Sequence, residues 1–149
     1  MNPTPSQTVG PFFGFALPFS DGADPAQAGV PGAIRIEGQV LDGAGDAVPD
    51  ALLELSQDNQ FARCRTDIEG AFHFTVSTPD AAFFNLVVFA RGLLRHLNTR
   101  VYMPGLEDDV LAAVDPERRQ TLIARRGGDV LQFDIRLQGP DETVFFAAD

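Results

Sequence analysis

The chain of 149 residues has no lysine, a single cysteine and a single tyrosine. Its eleven basic residues are all arginine and stand against 21 acidic ones, which gives a net charge of −10. Proteins that bind nucleic acid through the phosphates present a basic surface, so this balance argues against nucleic-acid binding. The lone cysteine, Cys64, cannot form a disulfide within the chain, which is typical of proteins from a reducing compartment.

Segments that would address the chain to a membrane are absent as well. Hydrophobic residues make up 44% of the sequence, yet no run is long and apolar enough to span a bilayer. The opening Met-Asn-Pro-Thr-Pro has neither the basic nor the apolar region of a secretory signal. The sequence therefore predicts a cytoplasmic, globular protein with one folded domain and no membrane partner.

Glycine and proline, with 14 and 11 copies, interrupt the chain at short intervals, as in all-β proteins. Between these breaks, apolar and polar residues alternate as in strands with one buried face. The predicted strands are residues 34–40, 51–55, 71–76, 83–90, 95–103 and 131–137. The segment 83–90 is apolar on both faces, which favours a central place in a sheet. This pattern predicts an all-β fold, a single antiparallel β-sandwich.

One short helical segment is predicted near residues 115–125. Asp115 can cap it, and Leu122 and Ile123 would dock it on the edge of a sheet. The acidic run 107–109 is interpreted as charge at a helix N-terminus or as a solvated loop.

Known catalytic motifs do not occur: the sequence has no nucleophile elbow, phosphate-binding loop or zinc-protease motif. His73 and His96 fall on different predicted strands, and two isolated histidines make a poor metal site. His73 is therefore interpreted as a solvent-facing residue. Cys64 lies between two arginines, which could lower the pKa of its thiol, but a buried, unreactive thiol is the preferred interpretation.

Five segments, taken in chain order, carry a resemblance to a known family. They are TPSQTVGPFF, IEGQVLDGAGDAVPDALLEL, FARGLLRHLNTRVYM, RRQTLIARR and FDIRLQGPDETVFF, and together they extend from residue 4 to residue 146. In this order they resemble segments of the intradiol ring-cleavage dioxygenases. The FARG and HLNTR pair and the last segment are similar to the alpha chain of those members that are built from two kinds of subunit.

The resemblance implies a function for an assembled enzyme. Members of this family hold a non-haem ferric ion with two tyrosinates and two histidines, and they open the ring of a catechol with dioxygen. In the two-subunit members the beta subunit carries all four ligands, and the substrate site lies between alpha and beta. The implied partners are an Fe(III)-bearing beta subunit, a small aromatic catechol acid and O2, in a hetero-oligomer of alpha–beta pairs.

The same resemblance implies that this chain lacks the metal donors. It places Phe83 and Asn85 where the beta-type chains have a His-x-His pair. Phenylalanine has no lone pair for a metal, and an asparagine amide is a poor ligand for ferric iron. The segments that would carry the two tyrosines are shortened, and Tyr102 falls elsewhere. The iron is therefore expected on the partner, with no metal ligand and no catalytic residue on this chain.

An N-terminal arm, residues 1–33, is implied to lie at the subunit interface, ahead of a dioxygenase-like sandwich at 34–149. In the alpha chains the T-P-S-Q-T-x-G-P motif helps to wall the substrate pocket, and by this resemblance Thr8, Gly10 and Pro11 would line it. The alternative is a proline-rich arm that packs only on its own sandwich.

Two further residues are assigned to substrate binding by resemblance. Phe12 follows the Gly-Pro pair, where family members often have tyrosine, so a hydroxyl contact is expected to be lost there. Arg91 is implied to pair with the substrate carboxylate through its guanidinium, with a salt bridge between strands or subunits as the alternative. Two functions follow: an alpha-type subunit that completes a partner's pocket, or a metal-free β-sandwich that serves as a binding or structural module.

Overall fold

The computed structural model of the protein describes residues 2–10 and 12–147. Nine strands form two sheets that enclose one main hydrophobic core. The strands are β1 (Ala33–Leu41), β2 (Leu52–Gln57), β3 (Gln60–Arg65), β4 (Ala71–Ser77), β5 (Phe83–Phe89), β6 (Leu97–Tyr102), β7 (Arg125–Gly127), β8 (Val130–Gln132) and β9 (Ile135–Arg136). The helices are α1 (Phe13–Ala16), α2 (Asp109–Ala113) and a 3₁₀ helix at Arg119–Leu122. Within the described residues, none of the helices has the length and apolar character needed to cross a bilayer.

The two sheets have different strand arrangements. The first sheet has the order β4-β1-β8-β7, with β9 also paired to β1, and the second has the order β3-β2-β5-β6. The prediction of an all-β sandwich is therefore confirmed. One detail differs, because β1 pairs antiparallel with β4 but parallel with β8 and β9, so the first sheet is mixed.

β5 occupies the centre of the second sheet, as its apolar composition predicted. It pairs with β2 on one side and with β6 on the other. Phe84, Leu86 and Val88 are buried in the core, whereas Asn85 on the opposite face is exposed. The outer face of β5 is only half-buried. Strands that are apolar on both faces are usually covered on both sides. The outer face of β5 is therefore open to further packing.

The strand predicted at 131–137 is interrupted between β8 and β9. The Phe133 carbonyl lies directly against Gly38 of β1, where a Cβ atom would be only 1.8 Å from the carbonyl oxygen. Asp134 then replaces part of the strand pairing, because its Oδ1 accepts a hydrogen bond from the Gln39 backbone N–H at 3.0 Å. Alternation within one segment cannot reveal this break, since it depends on a glycine in another strand.

The helical prediction is partly right. The 3₁₀ helix follows a turn in which an Asp115 carboxylate oxygen accepts a backbone N–H two residues on, at 3.1 Å. Leu122 is buried and Ile123 forms a bridge with Tyr102 on the edge strand β6, so the predicted docking on a sheet edge is confirmed. The helix α2 was expected only under one of the two interpretations of the acidic run 107–109, because five residues are too few to show an amphipathic period.

Asp108 fixes the start of α2. Its Oδ1 accepts hydrogen bonds from the Leu111 backbone N–H and from the Tyr102 hydroxyl, both at 2.9 Å, and Arg100 lies 3.3 Å from Oδ2. The acidic run thus supplies helix N-terminal charge, which was one of its two interpretations. Burial acts to raise the pKa of Asp108, but these hydrogen bonds and the charge of Arg100 hold it below its ordinary value.

We expect Asp108→Asn to lower the unfolding free energy by about 1 kcal/mol near neutral pH, since asparagine can still cap the helix but loses the charged hydrogen bonds. A carboxyl group whose pKa is lowered in the folded state stabilises the fold above its unfolded pKa of about 3.9. That contribution disappears as the pH falls through the lower, folded-state pKa. Urea denaturation at a series of pH values should therefore show wild type and variant converging in strongly acidic solution.

Glu107→Gln is the matched control, because Glu107 is an exposed neighbour of the cap. It should differ little from wild type at any pH. A gap between wild type and Asp108→Asn that is the same at neutral and at strongly acidic pH would contradict the assigned role.

Candidate functional site

Three strand ends of the second sheet bring three charged residues together. Asp50 precedes β2, Arg65 ends β3 and Arg91 follows β5. These strands are antiparallel neighbours, and in their register Leu52 of β2 is paired with both Arg65 and Phe89. The start of β2 and the ends of β3 and β5 therefore lie at one edge. We call Asp50, Arg65 and Arg91 the Asp50 cluster.

The Asp50 carboxylate is shared between the two arginines. Arg91 Nη2 donates to Asp50 Oδ2 at 2.7 Å, and Arg65 Nη2 donates to Oδ1. The hydrogen bond from Arg65 holds the pKa of Asp50 below its ordinary value, and Arg91 adds to this effect although burial opposes it. With Asp50 ionised, two guanidinium groups face one carboxylate, so the cluster carries a net positive charge. Such a charge suits an anionic ligand.

Arg91 retains hydrogen-bonding capacity at the surface. Its side chain is 54% exposed, and a guanidinium has five N–H donors. The salt bridge of Arg91 with Asp50 joins the ends of neighbouring strands within this chain, as in the alternative interpretation of Arg91. The remaining donors are compatible with a carboxylate ligand as well. Gly92, with φ of +89°, turns the chain directly after Arg91 in a conformation that favours glycine.

The N-terminal arm reaches the same edge. Thr8 Oγ1 accepts a hydrogen bond from the Gly92 backbone N–H at 2.8 Å. The ring of Phe15 in α1 lies 4.3 Å from the Arg65 guanidinium carbon. Gly14 packs so closely on Arg65 that a Cβ atom there would lie 2.9 Å from Nε. The structure thus brings together Thr8 and the Arg91 turn, which the sequence placed 83 positions apart.

A second arginine of β3 holds the arm further along. Arg63 donates through Nε and Nη2 to Glu54 Oε1 at 3.1 and 2.8 Å, and through Nη1 to the Leu17 carbonyl at 2.9 Å. The ring of Phe19 lies 5.7 Å from its guanidinium carbon. The arm is therefore attached to the second sheet at two successive arginines, which lie on the same face of β3.

The arm nevertheless leaves large aromatic side chains uncovered. Phe12 is 77% exposed, Phe15 is 70% exposed and Phe19 is 54% exposed. Gly10 is exposed too, and a Cβ atom there would meet nothing within 4 Å among the described residues, so this glycine is not tightly packed there. Pro11 lies outside the described residues. Packing on its own sandwich therefore covers only part of the arm, and several exposed aromatic side chains in one short segment are a common feature of interaction surfaces.

An open groove of about 550 Å³ lies beside the Arg91 turn. Val9 of the arm, Leu93 and Phe146 contribute to its apolar lining, and Arg95 and His96 to its polar part. Its volume is within the range of small-molecule sites. Arg91 itself is outside the lining, so the groove and the Asp50 cluster are neighbours and not one pocket within this chain.

In the described portion of the chain, His73, His96 and Cys64 make no hydrogen bond with the charged groups of the Asp50 cluster. His73 is half-exposed, with its Nε2 3.1 Å from Asp24 Oδ2, and His96 packs against the Phe89 ring at 5.5 Å between centroids. Cys64 is half-buried, and desolvation raises the pKa of its thiol, which favours the unreactive interpretation over the lowered pKa that its arginine neighbours suggested.

Phe83 and Asn85, at the positions for which the resemblance implies metal ligands, do not fit a ferric ion, and neither does the single tyrosine, Tyr102. Phe83 packs on the Arg100 guanidinium at 4.0 Å and on the Tyr102 ring at 5.3 Å, and Asn85 is exposed on the same face of β5. The Tyr102 hydroxyl is donated to Asp108, and burial raises its pKa, which disfavours a tyrosinate. In residues 2–10 and 12–147, no three His, Cys, Asp or Glu side chains form a group that could hold a metal.

Two members of the cluster, Asp50 and Arg65, were not singled out from the sequence. Their partners are determined by strand register, which the sequence pattern did not provide. The available signal was the Pro-Asp pair just before an apolar strand and the Arg-x-Arg spacing in FARCR, which places two arginines on one face of a strand.

Comparison with known proteins places these features in a family. No family model matches the sequence. The protocatechuate 3,4-dioxygenase alpha chain of Burkholderia cepacia is 36% identical over 189 residues, which cover 96% of each chain. The corresponding alpha chain of Pseudomonas putida is 33% identical over 191 residues, which cover 96% of this chain and 95% of that one. Both alignments are longer than this chain of 149 residues, so the relatives have insertions that it lacks.

Solved structures share the fold at lower identity. The dioxygenase domain of a dioxygenase and carbohydrate-binding protein fusion from Streptomyces sp. SirexAA-E gives a TM-score of 0.59 at 21% identity, covering 93% of this chain and 99% of that chain. Catechol 1,2-dioxygenase from Pseudomonas arvilla C-1 gives 0.57 at 22% identity, covering 81% of this chain and 58% of that one. The shared fold and the sequence identity to the two curated alpha chains indicate the same family. This chain therefore belongs to the intradiol ring-cleavage dioxygenase family, among the relatives of the protocatechuate 3,4-dioxygenase alpha chains.

Proposed function

We propose that this chain is the alpha-type subunit of protocatechuate 3,4-dioxygenase and that it completes the substrate pocket of an Fe(III)-bearing beta subunit. The assembled enzyme would cleave 3,4-dihydroxybenzoate with O2 to 3-carboxy-cis,cis-muconate. The alpha-chain names of the curated relatives support a subunit role, and the misfit of Phe83, Asn85 and Tyr102 to ferric iron supports a partner that carries the metal. We place the assembly, a hetero-oligomer of alpha–beta pairs, in the cytoplasm.

The observation that carries this proposal is the junction of the arm with the Arg91 turn. The Gly92 N–H bond to Thr8 holds the two segments side by side. A net positive charge lies there, next to aromatic rings of the arm that remain more than half exposed. A partner that covers these rings would enclose a site with one cationic wall.

Each residue of this wall has a defined task. The Arg91 guanidinium would bind the carboxylate of the catechol acid, which fixes the orientation of the ring toward the partner's iron. Thr8, Gly10, Pro11 and Phe12 would form the adjoining wall and exclude water from the cavity. The ring-opening chemistry would belong to the beta subunit, so the isolated alpha chain is expected to be inactive.

Co-expression with a beta-type chain that contains two tyrosines and a His-x-His pair tests the proposal. We expect the two chains to purify together with stoichiometric iron and with the visible absorption of tyrosinate bound to Fe(III). The same preparation of this chain alone should be colourless and without turnover of 3,4-dihydroxybenzoate.

The competing function, a metal-free binding or structural module, predicts a different result. A chain that forms no stable complex with any beta-type partner would support the module. Stoichiometric iron and dioxygenase activity in the isolated chain would contradict both interpretations and would indicate an autonomous enzyme.

A further inference from the structure

Asp50 connects the two parts of the proposed substrate wall, the arm and Arg91. One of its carboxylate oxygens accepts a hydrogen bond from Arg91 at 2.7 Å, and the other accepts one from Arg65. Arg65 in turn contacts the arm, through the ring of Phe15 and through Gly14. A series of direct contacts thus joins the arm to the guanidinium of Arg91.

The backbone of Asp50 adopts an unusual conformation at this point. Its φ of +66° lies in the left-handed region, which residues other than glycine rarely adopt and which Asp and Asn tolerate best. Such a conformation persists where surrounding contacts determine it. Here the next residue, Ala51, is held by hydrogen bonds with Thr66, and the Asp50 side chain is held by its two arginines. Because both arginines share this one carboxylate, the contacts on its two sides depend on each other.

Arg65 depends on Asp50 for its place under the arm. The Arg65 Nε is buried and has no hydrogen-bond partner in the part of the chain that the structure describes. Leaving a buried donor unpaired costs free energy, so the guanidinium needs the Asp50 carboxylate to offset that cost. Without it, Arg65 would turn toward water and withdraw from the ring of Phe15.

Arg91 depends on Asp50 in a different way. An exposed arginine on a turn populates many rotamers and loses this freedom when it binds a ligand. A hydrogen bond at one side of the guanidinium restricts the side chain before the ligand arrives, which lowers the entropy cost of binding. The charge of the two arginines exceeds that of Asp50, so the cluster still attracts an anion.

We propose that Asp50 is a positioning residue for carboxylate binding, which holds Arg91 and, through Arg65, the arm in the arrangement that receives the substrate. This inference rests on the proposed function and adds to it a residue that touches no substrate. It also assigns a role to Arg65, the arginine that supports α1.

Asp50→Asn in the assembled alpha–beta complex tests the inference. Asparagine has the same size and tolerates the positive φ, so the change removes the charge and leaves the backbone intact. Asp46→Asn is the matched control, because Asp46 is an exposed carboxylate in the same connection between β1 and β2 and the change removes the same charge. Binding is measured by optical titration with 3,4-dihydroxybenzoate and with 4-methylcatechol, which has no carboxylate.

We expect the dissociation constant of Asp50→Asn for 3,4-dihydroxybenzoate to rise about two- to tenfold, the effect of losing one immobilised side-chain conformation. The constant for 4-methylcatechol and the iron content should stay within about twofold of wild type, as should kcat. Asp46→Asn should leave all of these values unchanged. A merely structural role for Asp50 would not separate the two catechols in this way.

A second readout follows the arm in the full-length chain without its partner. Chymotrypsin cuts after aromatic residues, and the arm presents several between Phe12 and Phe19. Asp50→Asn and Arg65→Gln should both be cut faster than wild type in this segment, because the first releases Arg65 from the carboxylate and the second removes the guanidinium that contacts the arm. Asp46→Asn should be cut at the wild-type rate.

The outcomes separate this inference from the proposed function. If Arg91→Ala weakens binding of 3,4-dihydroxybenzoate but Asp50→Asn behaves like Asp46→Asn, the role of Asp50 is overturned and the proposed function stands. Tighter binding by Asp50→Asn also overturns it, since Asp50 would then compete with the substrate carboxylate. No effect of Arg91→Ala would instead count against the proposed function.

Should Asp50→Asn fail to fold or assemble, Arg65→Gln carries the test. Unchanged binding of 3,4-dihydroxybenzoate and unchanged chymotrypsin cleavage in that variant would overturn the inference.

Discussion

Arg91→Ala in the assembled enzyme is expected to weaken binding of 3,4-dihydroxybenzoate by about tenfold or more. A hydrogen bond between charged groups contributes about 1.5–3 kcal/mol, and every 1.4 kcal/mol corresponds to a factor of about ten. The lower part of this range applies, because the Arg91 side chain is 54% exposed and solvent screens its charge. Optical titration and KM both measure the effect, and the iron content should not change.

Two variants sharpen this test. Arg91→Lys keeps the charge but loses the planar pair of donors that matches a carboxylate, so it should bind with intermediate affinity. Arg126→Ala removes an exposed arginine of β7 in the other sheet, and it should bind like wild type. Wild-type affinity of Arg91→Ala for 3,4-dihydroxybenzoate would show that Arg91 serves only its salt bridge with Asp50.

Removal of residues 1–12 is expected to lower kcat/KM for 3,4-dihydroxybenzoate by about ten- to 100-fold, the cost of a substrate that is no longer held in place. The deletion removes Thr8, the acceptor for the Gly92 N–H, together with the proposed wall of the cavity. Phe15 and Leu17, which contact Arg65 and Arg63 of β3, lie further along the arm and are kept in the deletion, so the complex should still form. Activity and the mass of the complex are measured on the same preparation.

Thr8→Val is the control for the deletion, because it keeps the arm and removes only the hydroxyl. It should cause a smaller loss of kcat/KM than the deletion. An arm-deleted complex with wild-type kcat/KM would show that the arm has no part in the substrate cavity.

Most strands of the sandwich could be predicted from the sequence because they carry their signal locally. Phe72, Phe74 and Val76 alternate on one face of β4, and the apolar segment of β5 indicated its central place. β3 carries no such signal: its core-facing residues are Ala62 and Cys64, which are too small and neutral to mark a buried face. Local pattern therefore predicted strands with large core residues and missed two others: β3, whose core residues are small, and the short β7, whose residues are all exposed.

The site could be predicted only in part, and for a different reason. Thr8 and Arg91 came from the family resemblance, and the structure joins them through Gly92. The roles of Asp50 and Arg65 were not predicted, because they arise from three strand ends that meet at one edge. A contact of this kind depends on register between strands, which no alternation within a strand determines.

A structure of the alpha–beta complex with 3,4-dihydroxybenzoate bound tests the central claim most directly. The account predicts donors of the Arg91 guanidinium at about 2.7–3.2 Å from the substrate carboxylate, with Thr8, Gly10 and Phe12 in the wall of the same cavity and the iron held by the beta subunit alone. A complex in which the arm and Arg91 lie away from the cavity that contains the iron would contradict it.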